Sequence, residues 1–277
     1  YDNIQALLKT RGKFMKLVEP KVFLIGETKI IGDELQLYLD HIEVPKWVSD
    51  ASTDSEELIE VMGRLCYRSF KPGLNPNVTK IREHNDEYLG NIIKVKHGSV
   101  IEHAMINFIL ADVSRVFTHE LVRHRVGVAI SQESLRFVRL TELSFWMPFV
   151  FRNHPKSEQI MKFVVEKVEM MEKWQNELAE ILEIEGETKF EIKKKLTSAM
   201  RRIAPDGLAT TIGWSVNPRT LRNVIEMRTN PGAEEEIRLV FGKIAEKVKT
   251  RYPNIFADYT VEMVDGLAWY KTPNSKV

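Results

Sequence analysis

Residues Glu102 to Arg125 read Glu-His-Ala-Met-Ile-Asn-Phe-Ile-Leu-Ala-Asp-Val-Ser-Arg-Val-Phe-Thr-His-Glu-Leu-Val-Arg-His-Arg. The hydrophobic period changes inside this stretch. From Glu102 to Asp112, Ala104, Ile106, Phe108 and Leu110 fall on one face of an extended chain, which predicts a strand. From Ser114 to Arg125 the sequence reads as a helix, ending on three cationic or titratable residues. A strand that runs directly into a helix sets the class as mixed α and β.

Working outward, Val22-Phe23-Leu24-Ile25-Gly26 predicts a strand closed by Gly. Gly32 to His41 reads as a strand or the start of a helix. Ser55 offers an N-cap, with acids in the first turn, to a helix running to about Tyr67. Residues 71–76 hold Pro72, Gly73 and Pro76 and read as a loop. Glu83 to Val95 predicts a helix, and 141–153 is aromatic and irregular. Ser157 to Glu185 predicts a long charged helix with Ile160, Phe163, Val164, Val168, Met171 and Leu178 at helical spacing. Phe190 to Ile203 follows as a helix stopped by Pro205. Leu208 to Val216 predicts a strand, Pro218 to Met227 a helix with Pro at its first position, and Ala233 to Tyr252 a closing helix. The fold class is therefore α/β in the broad α+β sense, with more helix than strand.

Composition bounds the function. The chain has 277 residues, 43% hydrophobic and 29% charged, enough to bury roughly three quarters of its unfolded surface without a staple. One cysteine, Cys66, excludes an intramolecular disulfide and any zinc cluster built on several cysteines. A net charge of +1 argues against a bulk nucleic-acid binder, so anion binding must come from local clustering. No apolar run reaches the ~18–20 residues that span a bilayer. Tyr1 to Lys16 is basic and amphipathic without an apolar signal core. Tyr1 is not expected to be the initiator, and Met15 or an upstream Met could serve. The expected compartment is the cytoplasm.

Three clusters concentrate chemistry. At 100° per residue, Arg115, His119 and Arg123 lie within an arc of about 80°, with Glu120 beside them. Three such groups on one stripe repel unless an anion or acid joins them, and the Arg fork suits phosphate and carboxylate. A solvated polar face is the competing reading. Against it, Arg123-His124-Arg125 precedes Gly127, and Ser131-Gln132-Glu133-Ser134-Leu135-Arg136 follows across apolar Val126 to Ile130, a loop expected to be partly buried. The second cluster is Lys96-His97-Gly98-Ser99, where Gly98 allows close backbone approach and Ser99 can bond a phosphate. Its plain alternative is a Gly C-cap. The third is Asn217-Pro218-Arg219 with Asn223 and Arg228. Asn217 reads equally as an N-cap or as part of an anion site at a helix start, while Arg219 and Asn223 share a helix face. His119 and His124 point to different faces, so no metal site is expected. Walker, G-x-S-x-G and G-x-G-x-x-G patterns are absent.

Taken in order, these motifs resemble the flavin-dependent thymidylate synthases, also called thymidylate synthase complementing proteins. Arg123-His124-Arg125 followed by Ser131 to Phe137 is similar to the family's Arg-His-Arg signature. Arg64-Leu65-Cys66-Tyr67-Arg68-Ser69 is similar to its first active-site helix, and His97 to His103 to its flavin-phosphate segment. Thr118 to Val122 is similar to its run into the triplet, and Asn217 to Arg228 to its C-terminal segment. The resemblance covers roughly 57–252, with 140–200 poorly matched. It implies one domain at 57–252 with a helical insertion at about 155–200, preceded at 1–56 by an N-terminal extension with the first strand or strands, part of the same unit, and followed by a tail at 253–277. It implies a central mixed or antiparallel sheet with surrounding helices.

It also implies an FAD enzyme of the methyltransferase class and a homotetramer with FAD sites between subunits. The reaction makes dTMP from dUMP, with methylenetetrahydrofolate as carbon donor and NADPH as reductant. No cysteine nucleophile, metal, stable nucleic acid or membrane is involved. By resemblance, Ser99, Arg123, His124, Arg125, Asn217, Arg219 and Asn223 would hold FAD. Arg115, Glu120, Arg123, Gln132, Ser134, Leu135, Arg136, Arg201 and Arg228 would hold dUMP. Arg228 and Ser134 would act in catalysis, with Arg228 favouring the ionised uracil N3.

Three positions depart from the family pattern. Eight residues, 126–133, separate the triplet from Ser134 where seven are usual. Phe137 replaces Tyr, and Gly232 stands where many members carry His. These departures open a second reading, a paralogue that alkylates another pyrimidine nucleotide or an RNA base. A non-enzymatic nucleic-acid-binding protein is a third.

Overall fold

The computed structural model describes residues 16–134, 143–275 and 277. In chain order its elements begin with β1 (Lys16–Leu17), β2 (Lys21–Glu27), α1 (Gly32–His41), α2 (Asp54–Tyr67), α3 (Asn85–Lys94) and a 3-10 turn (Gly98–Glu102). There follow β3 (Ile106–Ser114), α4 (Arg115–Leu121), β4 (Val128–Gln132), β5 (Ser144–Phe145), α5 (Phe149–Arg152), α6 (Ser157–Ile181) and α7 (Phe190–Met200). A second 3-10 turn (Arg201–Ile203), β6 (Ala209–Val216), α8 (Pro218–Arg228), α9 (Glu235–Arg251), β7 (Thr260–Val264) and β8 (Leu267–Lys271) complete it. The class is mixed, as expected. Helices accompany an antiparallel sheet of order β2-β3-β6-β4. β1 pairs in parallel with β5, and β7 with β8 forms an antiparallel hairpin inside the stretch expected to be a tail.

By packing, the chain divides into two units. One comprises Val22–Ile109, His124–Ile130 and Trp214–Val277. Its core is built by the alternation seen in the sequence: Ala104, Ile106 and Phe108 are fully or almost fully buried. Phe108 stacks on Trp214 at 5.9 Å, and Trp214 meets Phe241 of α9 edge-on at 5.6 Å. Each such aromatic contributes roughly 1.5–3 kcal/mol by burial. The sequence leaves Gly32 to His41 open between strand and helix; it folds as α1, burying Leu39 against Val44, Val61 and Phe70. Thr53, not Ser55, caps α2, its hydroxyl accepting from Glu56 N, while Ser55 is buried inside the helix. α8 starts as read, with Asn217 as N-cap and Pro218 at the first turn.

Among the described residues, the other unit comprises 16–21, 110–123, 131–134 and 143–213. Val168 of α6 packs with Leu143 and Leu208, flanked by Val164 and Met171. Glu172 and Gln175, buried on the same helix, accept from Leu143 N and donate to the Met200 carbonyl. Phe163, placed by its spacing among the apolar residues of that helix, is 60% exposed.

α4 corrects the helix expected to reach Arg125. Ser114 caps it by accepting from Phe117 N, and it closes at Leu121. Gly127 turns the chain with φ +66°, and β4 begins at Val128. Strand pairing sets this boundary, because Glu133 N donates to Thr211 O at 3.0 Å. Arg123 therefore lies past the end of the helix that carries Arg115 and His119. The loop is not buried at its start either: Val126 is 80% exposed.

Candidate functional site

In the unit that holds the Trp214 core, four sequence motifs meet. Tyr67, at the end of α2, stacks on His97 at 5.7 Å, and its hydroxyl is hydrogen-bonded to His97 Nδ1. One residue on, Gly98 opens the 3-10 turn and is buried. It is not the C-cap of α3, since the left-handed residue there is Lys96 at φ +61°. Gly98 has a different role. A Cβ at this position would stand 2.7 Å from Arg219 Nε, so Gly lets the arginine lie where it does, and a larger residue would push it aside. Arg219 then pairs with Glu102 at 2.5 Å, both half-exposed. Ser99 is exposed beside them.

The first turn of α8 also holds the signature loop. Asn217 Oδ1 accepts from Thr220 N at 2.8 Å, Asn217 N donates to Gly127 O at 2.9 Å, and Thr220 Oγ1 donates to Val126 O at 2.8 Å. The cap reading of Asn217 thus describes its side-chain oxygen. Arg125 is exposed and Asn223 half-buried. At the far end of α8, Arg228 Nε donates to His124 Nε2 at 2.8 Å. Burial first, and the Arg228 charge second, push His124 down to about 4, so the ring is neutral at pH 7. Of the residues implied for the flavin, this unit collects Ser99, His124, Arg125, Asn217, Arg219 and Asn223, together with Arg228 from the substrate group. Arg123 belongs to the other unit.

That other unit holds Arg115, Glu120, Arg123, Gln132, Ser134 and Arg201. Leu135, Arg136 and Phe137 lie outside the described residues. Arg115 opens α4, and its backbone N donates to Leu208 O at 3.1 Å. Its Nη1 is buried without a hydrogen-bond partner among the described residues. Burial, then the charge of Arg201, lower its pKa, while Asp206 opposes them. A buried guanidinium nitrogen beside a second cation is a state that an incoming anion relieves. Gln132 Nε2 donates to Thr118 Oγ1 at 3.2 Å, and Glu133 accepts from Thr211 N at 2.9 Å. Glu120 and Ser134 are half-buried.

Arg64, at the head of the 64–69 motif, has a structural task that residue type and spacing do not reveal. It is buried at 1%, bonds Glu60 at 2.6 Å and the Ser69 and Arg82 carbonyls, and lies over the Tyr88 ring at 4.6 Å. Its role is to build the α2 end that carries Tyr67. Glu102 and Arg219 stand in separate motifs 117 positions apart, and spacing alone does not pair them. Among the described residues there is no group of three or more His, Cys, Asp or Glu able to hold a metal, and no helix is long and apolar enough to cross a membrane.

The site gathers basic and amide side chains on short turns, donors of the kind that suit anions. The sequence pattern of the thymidylate synthase complementing proteins matches residues 48–254. The chain is 33% identical over 233 residues to the flavin-dependent thymidylate synthase of Corynebacterium diphtheriae, covering 82% of this chain and 88% of that one. It is 32% identical over 227 residues to the enzyme of that name from Mycobacteroides abscessus, covering 78% and 86%. With the enzyme of that name from Clostridium tetani it shares 30% over 206 residues, covering 73% and 80%. A UMP/dUMP methylase from Streptomyces cacaoi, solved with 5-Br UMP, superposes with a TM-score of 0.57 at 15% identity, covering 87% and 94%; that likeness is one of fold. The chain belongs to the thymidylate synthase complementing protein family, and it is an enzyme of the methyltransferase type.

Proposed function

We propose that this enzyme methylates dUMP to dTMP with FAD as its flavin, methylenetetrahydrofolate as carbon donor and NADPH as reductant. We propose further that it works as a cytoplasmic homotetramer. The observation that carries this reading is the meeting of the 64–69, 97–103, 124–127 and 217–228 motifs in one packed unit, through Tyr67–His97, Gly98–Arg219, Val126–Thr220 and His124–Arg228.

The residues present fit the groups they would bind. Gly98 lets Arg219 lie against the turn, and the half-exposed Arg219, the exposed Ser99 and the exposed Arg125 would hold the anionic parts of FAD. When bound, the flavin supplies the redox chemistry of the methyl transfer. Arg115, with its unpartnered Nη1, and Arg201 suit the dianionic phosphate of dUMP. Gln132, Ser134, Leu135 and Arg136 would complete that grip. Arg228 would face the uracil edge, where a fixed cation favours the ionised N3 form.

Titrating dUMP into the oxidised, yellow protein tests the reading. A saturable change in the flavin spectrum, followed by dTMP formation with folate and NADPH, is expected. A protein without a flavin band, or one whose spectrum ignores dUMP, refutes it. The eight-residue spacing before Ser134 favours a second acceptor strongly enough to include UMP in the same titration. A response to UMP alone would favour the paralogue.

A further inference from the structure

Several arginines among the described residues are held by carboxylates. Arg64 pairs with Glu60, Arg219 with Glu102, Arg222 with Asp258 and Arg152 with Glu19. Arg228 engages an imidazole as well. Its Nε always carries a proton, so at 2.8 Å the facing Nε2 of His124 must be the acceptor. That fixes the tautomer: the His124 proton sits on Nδ1.

This contact joins residues 104 apart in sequence. It occupies the Nε donor of Arg228, so the contact constrains the plane of the guanidinium. A carboxylate in place of the imidazole would orient the group and also bring a counter-charge. The imidazole brings none. Burial and the neighbouring guanidinium keep the ring neutral at physiological pH.

Resting on the functional reading above, we propose that His124 is a positioning residue for Arg228. It locks the guanidinium plane through Nε without adding a negative charge of its own, so that the cation is presented to the anionic uracil edge. Its Nδ1–H stays available as a donor. The role thus adds to, and does not displace, contact with the flavin. A misplacement of about 1 Å at a reacting group can cost ~10²-fold in rate, which sets the expected scale.

The test uses flavin-loaded enzyme and His124→Gln, His124→Leu and His124→Glu. The probe is 5-fluoro-dUMP, whose N3 ionises more readily than that of dUMP and whose ultraviolet band reports the ionised fraction when bound at pH 7. Gln retains a neutral acceptor and should keep at least about tenfold more kcat/KM than Leu, with an ionised fraction close to that of wild type. Leu should lose on the order of 10²-fold in kcat/KM and reduce the ionised fraction while keeping flavin. Glu should hold Arg228 in place yet reduce the ionised fraction further than Gln, because its charge opposes that of N3. Leu matching wild type, or Gln falling as far as Leu, overturns the proposal. If Leu does not retain flavin, the comparison of Gln with Glu carries the test, and equal ionised fractions overturn it. Wild type that fails to bind the probe is a separate outcome, which removes the dUMP reading itself.

Discussion

Gly127→Ala tests whether the signature loop is held as described. Two costs are expected, and the structure separates them. Gly127 has φ +66°, where any Cβ costs about 1–2 kcal/mol. In addition, the new Cβ would stand 2.2 Å from Asn217 Nδ2 and 3.0 Å from Thr220 Oγ1. Asn217 must move, which loses the cap on Thr220 N, about 1 kcal/mol. Displacing Thr220 from Val126 O loses roughly another 1 kcal/mol. The sum is about 3–4 kcal/mol. Gly73 supplies the control: it has φ +86° and nothing within 4 Å of its added Cβ, so Gly73→Ala should cost only the first part. Urea unfolding at one fixed protein concentration, with slopes compared, measures both. If Gly127→Ala falls no further than Gly73→Ala, the packing of the loop against α8 is not as inferred.

Further outcomes follow from other contacts. The Arg222 guanidinium and two neighbouring donors hold Asp258, itself partly desolvated, down to about 2 from its ordinary 3.8. A depressed carboxylate stabilises above its unfolded pKa, so roughly 2 kcal/mol should be lost as pH falls from about 5 through 2. Asp258→Asn should flatten that acid limb in thermal melts across pH, and an unchanged limb would contradict the pairing. Arg115→Ala should leave stability unharmed, because it removes an unpartnered buried nitrogen, while calorimetry should show dUMP binding weakened by about 10²-fold, the loss expected for one charged hydrogen-bonding group. Undiminished affinity would make Arg115 structural. At Gly232 an added Cβ meets only Asn230 Oδ1, at 3.4 Å. Gly232→His should therefore fold with stability within about 0.5 kcal/mol of wild type and keep its flavin content; a large loss of stability would show that the position is crowded.

Much of this protein could be read from short stretches. Alternation at Ile106, Phe108 and Leu110 gave β3, and Asn217-Pro218 gave the start of α8, because side-chain period and capping act over a few residues. The ordered motifs gave the family by residue type and spacing. The ends of α4 could not be read this way. Ser114 to Arg125 is helical in pattern, but pairing of β4 with β6, whose residues are distant in sequence, stops the helix at Leu121. The role of Gly98 depended on an arginine 121 positions later, so local reasoning produced a C-cap where the structure has a close approach. His124 with Arg228, and Glu102 with Arg219, join residues more than a hundred apart. The sequence determined which chemical groups are present, and sheet order and helix packing decided which of them meet. Local propensity falls off within a turn or two, and only tertiary topology fixes distances between remote segments.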